Sequence, residues 1–165
     1  MAPDFEKAAE LAGFFTAHAV WSVSDGETLV PLLGHEGAAG RNMIRFAAEQ
    51  AEEAVRHAKD WLESNPENVA RAVLVYDGFL TLGDVRKDAL FATVVDYADP
   101  RRSLEIAIPY RPANHDDGFA VYMLKALSSV GLPDDLGSLV DAFFRGADAH
   151  EHGGKIWTDH LDSSF

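Results

Sequence analysis

The chain contains no cysteine, and it has only 14 Lys and Arg residues against 27 Asp and Glu. The lack of cysteine excludes disulfide bonds, thiolate nucleophiles and cysteine-ligated zinc or iron-sulfur centres. The shortage of basic residues gives a formal net charge of -13, which disfavours nucleic acid and anionic membranes as partners. Long apolar runs and a secretory signal pattern are also missing, so we expect a cytoplasmic protein without membrane contact.

Familiar catalytic motifs are missing too. The sequence has no GxSxG nucleophile motif, no phosphate-binding P-loop and no glycine-rich dinucleotide fingerprint. We therefore expect no cofactor and assign no catalytic residue. A non-enzymatic role is favoured.

Four short runs rich in β-branched and aromatic residues fill the stretch from Ala70 to Arg111. Gly, Asp and Pro separate these runs, which is the pattern of a half-buried sheet. The gaps are too short for helical crossovers, so neighbouring strands should be antiparallel. Asp77-Gly78 is either a hairpin turn or a bulge inside one strand that reaches Leu82, and the bulge is favoured because Gly83-Asp84 is also a good turn.

Apolar residues at helical spacing predict three helices. The first covers Pro3 to about Ala17, and the last covers Leu136 to about Gly146. The longest covers about Arg41 to Ser64, with Ala51, Ala58 and Leu62 on its apolar stripe. Such a helix would be roughly 35 Å long and could lie across a whole small sheet.

Two further segments contain turn and strand signals. Asp25-Gly26 lies between two runs, Val20–Ser24 and Glu27–Leu33, and this dipeptide predicts a hairpin with a type I′ turn. Phe119–Leu124 is predicted to be the last strand, with a helix as the competing interpretation.

Together these elements predict an α+β fold. Residues 1–146 form a single domain, in which the long helix and two shorter helices pack on one antiparallel sheet of about five to six strands. Residues 147–165 form a polar C-terminal tail. The tail is expected to dock in part, because Ile156, Trp157, Leu161 and Phe165 are costly to leave in water.

One flank of the predicted long helix carries large side chains beside its alanine stripe. These are Met43, Phe46, His57 and Trp61. They form either a broad buried face or an interface for another protein, where aromatic and methionine side chains are enriched.

The densest group of possible metal ligands is in the tail. His150, His152 and His160, with carboxylates nearby, would suit zinc, nickel or iron. Their spacing matches no closed structural site, and a solvated acidic tail explains them equally well. In the strand region, paired acids among Asp77, Asp84, Asp88 and Asp96 would suit acid-base chemistry, although three of the four are at predicted turns or strand ends, where turn formation accounts for them.

The leading functional hypothesis is a non-catalytic protein-binding module, a chaperone-like or immunity-like adaptor that acts as a homodimer. It rests only on size, charge and layout. The alternative is a small ligand-binding protein or enzyme with a pocket between the long helix and the sheet.

Overall fold

A computed structural model describes residues 3–165, with side chains described from Phe5 onward. Within this range the chain forms four helices and eight strands. The helices are α1 (Pro3–Ser24), α2 (Ala51–Ser64), α3 (Gly137–Ala149) and α4 (Gly153–Asp159). The strands are β1 (Leu32–Gly37), β2 (Gly40–Arg45), β3 (Arg71–Leu82), β4 (Val85–Asp96), β5 (Arg102–Arg111), β6 (Ala120–Tyr122), β7 (Lys125–Val130) and β8 (Leu161–Asp162).

The strands form one sheet in the order β2-β1-β3-β4-β5-β6-β8, and β7 also pairs with β5. All pairs are antiparallel except β6 with β8, which is parallel. The α+β class is confirmed. The expectation of a purely antiparallel sheet with five to six strands is wrong. The residues of β2 were assigned to the predicted long helix, and the short strands β7 and β8 had weak sequence signals.

The β3–β4 pairing runs without interruption from Arg71 opposite Asp96 to Leu82 opposite Val85. One long strand therefore passes through Asp77-Gly78, as favoured, but Gly78 pairs regularly with Ala89 and forms no bulge. The turn at Gly83-Asp84 is confirmed.

α1 lies at the centre of the main core, between the inner face of the sheet and α3. The two helices approach closely at Gly13 and Gly146. A Cβ atom on Gly146 would lie 1.8 Å from the backbone oxygen of Glu10, and one on Gly13 would lie 1.7 Å from that of Phe143. Only glycine permits this crossing.

α2 packs on the opposite, outer face of the sheet. Its buried stripe is Ala54, Ala58 and Leu62. This stripe forms part of a second, smaller core with Leu33, Leu74 and other residues of β1, β3 and β4.

The hairpin predicted at Asp25-Gly26 is wrong. α1 continues to Ser24, and Gly26, at φ +92°, ends the helix with its N–H bonded to the carbonyl oxygen of Val23. Glycine with positive φ serves both a type I′ turn and a helix C-terminus, so the dipeptide alone was ambiguous. Val20 and Val23 are both buried and are three residues apart, as on one face of a helix, so burial favours the helix over the hairpin.

The single long helix from Arg41 to Ser64 is also wrong. Its first part is β2, joined to β1 by a tight turn in which Gly37 pairs with Gly40. Only Ala51–Ser64 is helical, and Ala51 itself is exposed. Within β2 only Met43 and Ile44 are apolar, so burial gives little support to a helix there and backbone pairing with β1 prevails.

The C-terminal segments contain more structure than their polarity suggests. Of the strand predicted at 119–124, only Ala120–Tyr122 forms β6, and it is not the last strand, because β7 and β8 follow it. The helix predicted from Leu136 is confirmed as α3, and a fourth helix, α4, follows it. α3 continues past residue 146 to Ala149, and the division there into domain and tail stays a prediction. In the tail, Gly153 abuts the backbone of Ala17, and Trp157 is 3% exposed.

Candidate functional site

The inner face of the sheet extends beyond the cover of α1. Along β3 the inner-facing side chains are every second residue, and Val73 and Val75 are buried while Asp77 and Phe79 are exposed. Val23, in the last turn of α1, lies across a small cavity from Asp77. The helix therefore stops beside this residue and leaves the end of the inner face open.

A tyrosine and an aspartate are joined at this open end. Tyr110 on β5 donates its hydroxyl hydrogen to the carboxylate of Asp77, and both carboxylate oxygens lie 2.8 Å from the hydroxyl oxygen. Tyr110 is only 6% exposed. Asp88 on β4 is directly opposite Tyr110 in the strand register. Three adjacent strands thus bring one tyrosine and two carboxylates together.

Partial burial changes the acidity of this pair. It raises the pKa of Asp77, and the hydrogen bond from Tyr110 opposes the rise while the negative charge of Asp88 adds to it. Burial and the charge of Asp77 also raise the pKa of Tyr110. Tyr110 is therefore a protonated donor, and Asp77 is a more basic acceptor than an ordinary surface aspartate.

Two cavities meet at Tyr110 and Pro112, one of about 240 Å³ and one of about 420 Å³. We call these cavities, with the Tyr110–Asp77 pair, the Asp77 cleft. The smaller is completed by Val23, Gly26, Glu27, Thr28, Asp77, Ala113 and Asn114. The larger is completed by Arg86, Lys87, Asp88, Arg111, His115, Asp117 and Tyr122.

Arg111 holds the loop that closes the larger cavity. Its Nε donates to the carbonyl oxygen of Gly118 at 2.6 Å, and its Nη2 donates to that of Asp117 at 3.1 Å. The backbone N–H of Asp117 donates in turn to Nδ1 of His115 at 3.1 Å. These bonds fix the loop, so this wall of the cleft is preformed.

The basic side chains of the cleft lie over aromatic rings. The Arg86 guanidinium is 4.1 Å from the ring centre of Phe79, and Lys87 Nζ is 4.7 Å from that of Tyr122. Tyr122 lines the larger cavity, whereas Phe79 lines a separate cavity of about 630 Å³ between α2 and β3. The cleft offers hydrogen-bond acceptors, cations and an aromatic surface together, as polar ligand sites do.

The four residues predicted as an interface lie on two different elements. Met43 on β2 is 38% exposed, and His57 on α2 is exposed with its Nε2 3.9 Å from the Glu53 carboxylate. Phe46 and Trp61 pack against the outer core instead, and Trp61 stacks on His35. The four therefore do not form the single helix flank on which the interface hypothesis was based.

The three tail histidines do not converge. Nε2 of His150 lies 3.1 Å from Nδ1 of His18. The ring of His152 stacks on Trp21, and the ring of His160 lies against Phe119. Within residues 3–165, no group of three or more His, Asp or Glu side chains is arranged to hold a metal ion.

The sequence contained the residues of the cleft but not their pairing. Asp77 was inside a predicted strand, whereas Asp88 and Tyr110 were just outside the predicted runs. Their meeting depends on the register that places Asp88 opposite Tyr110 and Asp77 opposite Leu90. The only available signal was polar residues at inner-facing positions, where Val73 and Val75 would predict further core.

Comparisons of the chain with models of known protein families, with curated proteins and with solved structures found no match. The fold and the cleft define its class: an α+β protein with one eight-stranded sheet and a polar cleft at the open end of the inner face. Among the helices of residues 3–165, none combines the length and the apolar character needed to cross a membrane.

Proposed function

We propose that this protein binds a small polar molecule in the Asp77 cleft. The observation that carries the proposal is the Tyr110–Asp77 hydrogen bond at the uncovered end of the inner face. A carboxylate whose pKa is raised, beside a cavity, is more typical of functional sites than of structural ones.

The chemistry of the cleft favours a ligand with amine or hydroxyl donors. Tyr110 has one hydrogen to donate, whereas the Asp77 carboxylate has about four acceptor positions, so most of them remain open. Asp88 adds a second acceptor group, and the ring of Tyr122, which lines the larger cavity, can contact the apolar part of a ligand. We propose that the ligand is a small amine or polyol and that the protein binds it without catalysing a reaction. We also propose that the protein is cytoplasmic and does not bind nucleic acid.

An NMR screen of the ¹⁵N-labelled protein against small amines and polyols tests this proposal. We expect binding to shift the amide signals of Asp77, Asp88 and Tyr110. Asp77→Asn should weaken the best ligand by about tenfold, because it removes the charge of the group that accepts from the ligand. Tyr110→Phe should weaken it as well, because the Asp77 carboxylate loses the hydrogen bond that orients it.

Asp84→Asn is the matched control, because it removes the same charge at the exposed turn between β3 and β4. Equal affinity in all three variants, shifts confined to another surface, or no binding by any amine or polyol would overturn the proposal.

A second candidate function, protein binding as a homodimer, is favoured by β7. Within the described part of the chain this strand pairs only with β5, and Ala126 through Val130 are all exposed. Leu127 is 41% exposed, Val130 is 62% exposed, and Lys125 is the only charged residue of the strand. An uncharged, unpaired edge is a place where sheets add a strand from another molecule. An adaptor of the chaperone-like or immunity-like kind would use such an edge.

Light scattering after size-exclusion chromatography, over a wide range of concentrations, tests this second candidate. The protein should form dimers, and Leu127→Lys should make it monomeric. Val85→Lys, at another exposed apolar position, is the control and should leave the dimer intact. A monomer at every concentration would exclude the homodimer.

A further inference from the structure

A row of nitrogen atoms links α4, α1 and β2. The backbone N of Gly153 is 2.9 Å from Nδ1 of His150, and Nε2 of His150 is 3.1 Å from Nδ1 of His18. Nε2 of His18 is 3.2 Å from Nη2 of Arg45. Both ends of the row are donors, since neither a backbone N–H nor a guanidinium nitrogen can accept a hydrogen bond.

The two imidazoles between these ends are neutral at neutral pH. Burial is the main cause that lowers the pKa of both His18 and His150. A neutral imidazole has one N–H and one acceptor nitrogen. The N–H of Gly153 occupies the lone pair of His150 Nδ1, so the proton of His150 is on Nε2. That proton points to Nδ1 of His18, so the proton of His18 is on its own Nε2.

The row therefore ends in two donors that face each other, the Nε2–H of His18 and the guanidinium of Arg45. If the proton of His18 were on Nδ1 instead, that N–H would face the Nε2–H of His150, and two donors would still oppose each other. His150 is 8% exposed, whereas Arg45 is exposed, so the contact that can open is the one at Arg45. Among the side chains described, those of residues 5–165, no carboxylate lies within 4.0 Å of Arg45 to resolve it.

The surroundings of the two donors are rich in basic and aromatic groups. Trp21 is 40% exposed, with its ring centre 5.6 Å from that of His18 and 4.6 Å from that of His152. Glu151 is the acidic neighbour of His150. Arg41, on the same strand as Arg45, is paired with a carboxylate, so its charge is largely compensated.

We infer that His18 and Arg45 form an anion-binding site, in which Nε2–H of His18 and the Arg45 guanidinium donate to one phosphate or carboxylate group. An acceptor oxygen between the two nitrogens turns a repulsive contact into two hydrogen bonds, one of them charge-assisted. The exposed indole of Trp21 borders the site and can contact the organic part of the ligand. The site shares no residue with the Asp77 cleft, so it goes beyond the proposed function. An experiment can therefore refute one of the two sites without refuting the other.

The proton positions can be measured directly. A long-range ¹H–¹⁵N NMR spectrum of the histidine rings at slightly alkaline pH should show Nε2–H and unprotonated Nδ1 for both His18 and His150. Protonated Nδ1 on His18 would contradict the inference, because Nε2 of His18 could then accept from Arg45 and the site would have no free pair of donors.

Titration with inorganic phosphate and, in parallel, with acetate tests binding and separates the two kinds of anion. At least one of them should shift the His18 Nε2–H and Trp21 Nε1–H signals, and Arg45→Gln should weaken that binding by about tenfold. Arg56→Gln, which removes an exposed arginine on α2, is the control and should leave the affinity unchanged.

Two results would overturn the inference. If neither anion shifts these signals, the two donors are satisfied by water. If Arg45→Gln and Arg56→Gln weaken binding equally, the attraction is diffuse and there is no specific site.

Discussion

The two faces of the sheet carry helices that are buried to very different extents. α1 lies between the inner face and α3, and most of its residues from Phe5 to Val23 are buried. α2 rests on the outer face through only Ala54, Ala58 and Leu62, and its other sides are mostly exposed.

This difference explains why the sequence pattern was informative for one helix and misleading for the other. A helix with a broad buried face follows its apolar residues, because many buried contacts fix it. A helix with a narrow alanine stripe has limited burial energy, so neighbouring residues with the same pattern can join a strand instead. Stability should therefore reside mainly on the inner side of the sheet.

The largest effect is expected at the crossing of α1 and α3. In Gly146→Ala the new methyl group would lie 1.8 Å from the Glu10 backbone oxygen, so the helices must separate. We expect the free energy of unfolding to fall by about 3 kcal/mol or more, measured by urea denaturation.

Gly137→Ala, at the start of the same helix, is the control for this substitution. Its added methyl group would meet only a side-chain oxygen of Asp135, at 3.2 Å. The control should cost little stability. Equal losses in the two variants would show that the close crossing does not determine the result, because alanine is by itself a better helix former than glycine.

The next effect compares one leucine from each side of the sheet. Leu11 on α1 is 0% exposed and Leu62 on α2 is 6% exposed. Leu11→Ala should cost about 4 kcal/mol and Leu62→Ala about 2 kcal/mol, because the surface helix can shift to fill its cavity while the helix between the sheet and α3 cannot. A larger loss for Leu62→Ala would reverse the proposed roles of the two sides.

Substitution of His35, beneath α2, should have a smaller effect on the free energy of unfolding, and this effect should be stabilising. His35 is 5% exposed, its Nδ1 has no hydrogen-bond partner among the described residues, and its ring stacks on Trp61. His35→Leu removes the unsatisfied nitrogen but also the stacking, so stability should stay equal or rise by about 1 kcal/mol in the same denaturation experiment. His57→Leu, at an exposed position of α2, is the neutral control. A clear loss at His35 alone would mean that its nitrogen is satisfied in solution.

Much of the sheet could be predicted from the sequence because its signals are local. The alternating residues of β3 to β5 and the turn at Gly83-Asp84 specify a meander without reference to the rest of the chain. The β1–β2 pair could not be predicted, because it forms only where β1 also pairs with β3 and His35 finds cover under Trp61. That cover depends on contacts distant in sequence.

The candidate site was less predictable than the fold. Asp77 and Tyr110 are 33 residues apart and meet only when β3, β4 and β5 are in register. His18 and His150 are 132 residues apart, so no spacing rule could pair them. The predicted sites instead joined residues that were close in sequence, and the fold distributes those residues over different surfaces.

The titration of Asp77, followed through its side-chain carbon by ¹³C NMR, tests the cleft most directly. We expect a pKa above the ordinary value of 3.8, a further rise in Tyr110→Phe because a donor to the carboxylate is lost, and a fall in Asp88→Asn. Because the folded state then holds the Asp77 proton more tightly than the unfolded chain, this residue makes stability decrease as the pH rises from the unfolded pKa through the folded one. A pKa at or below 3.8 that does not respond to Tyr110→Phe would contradict the paired, partly buried carboxylate on which the proposed binding site depends.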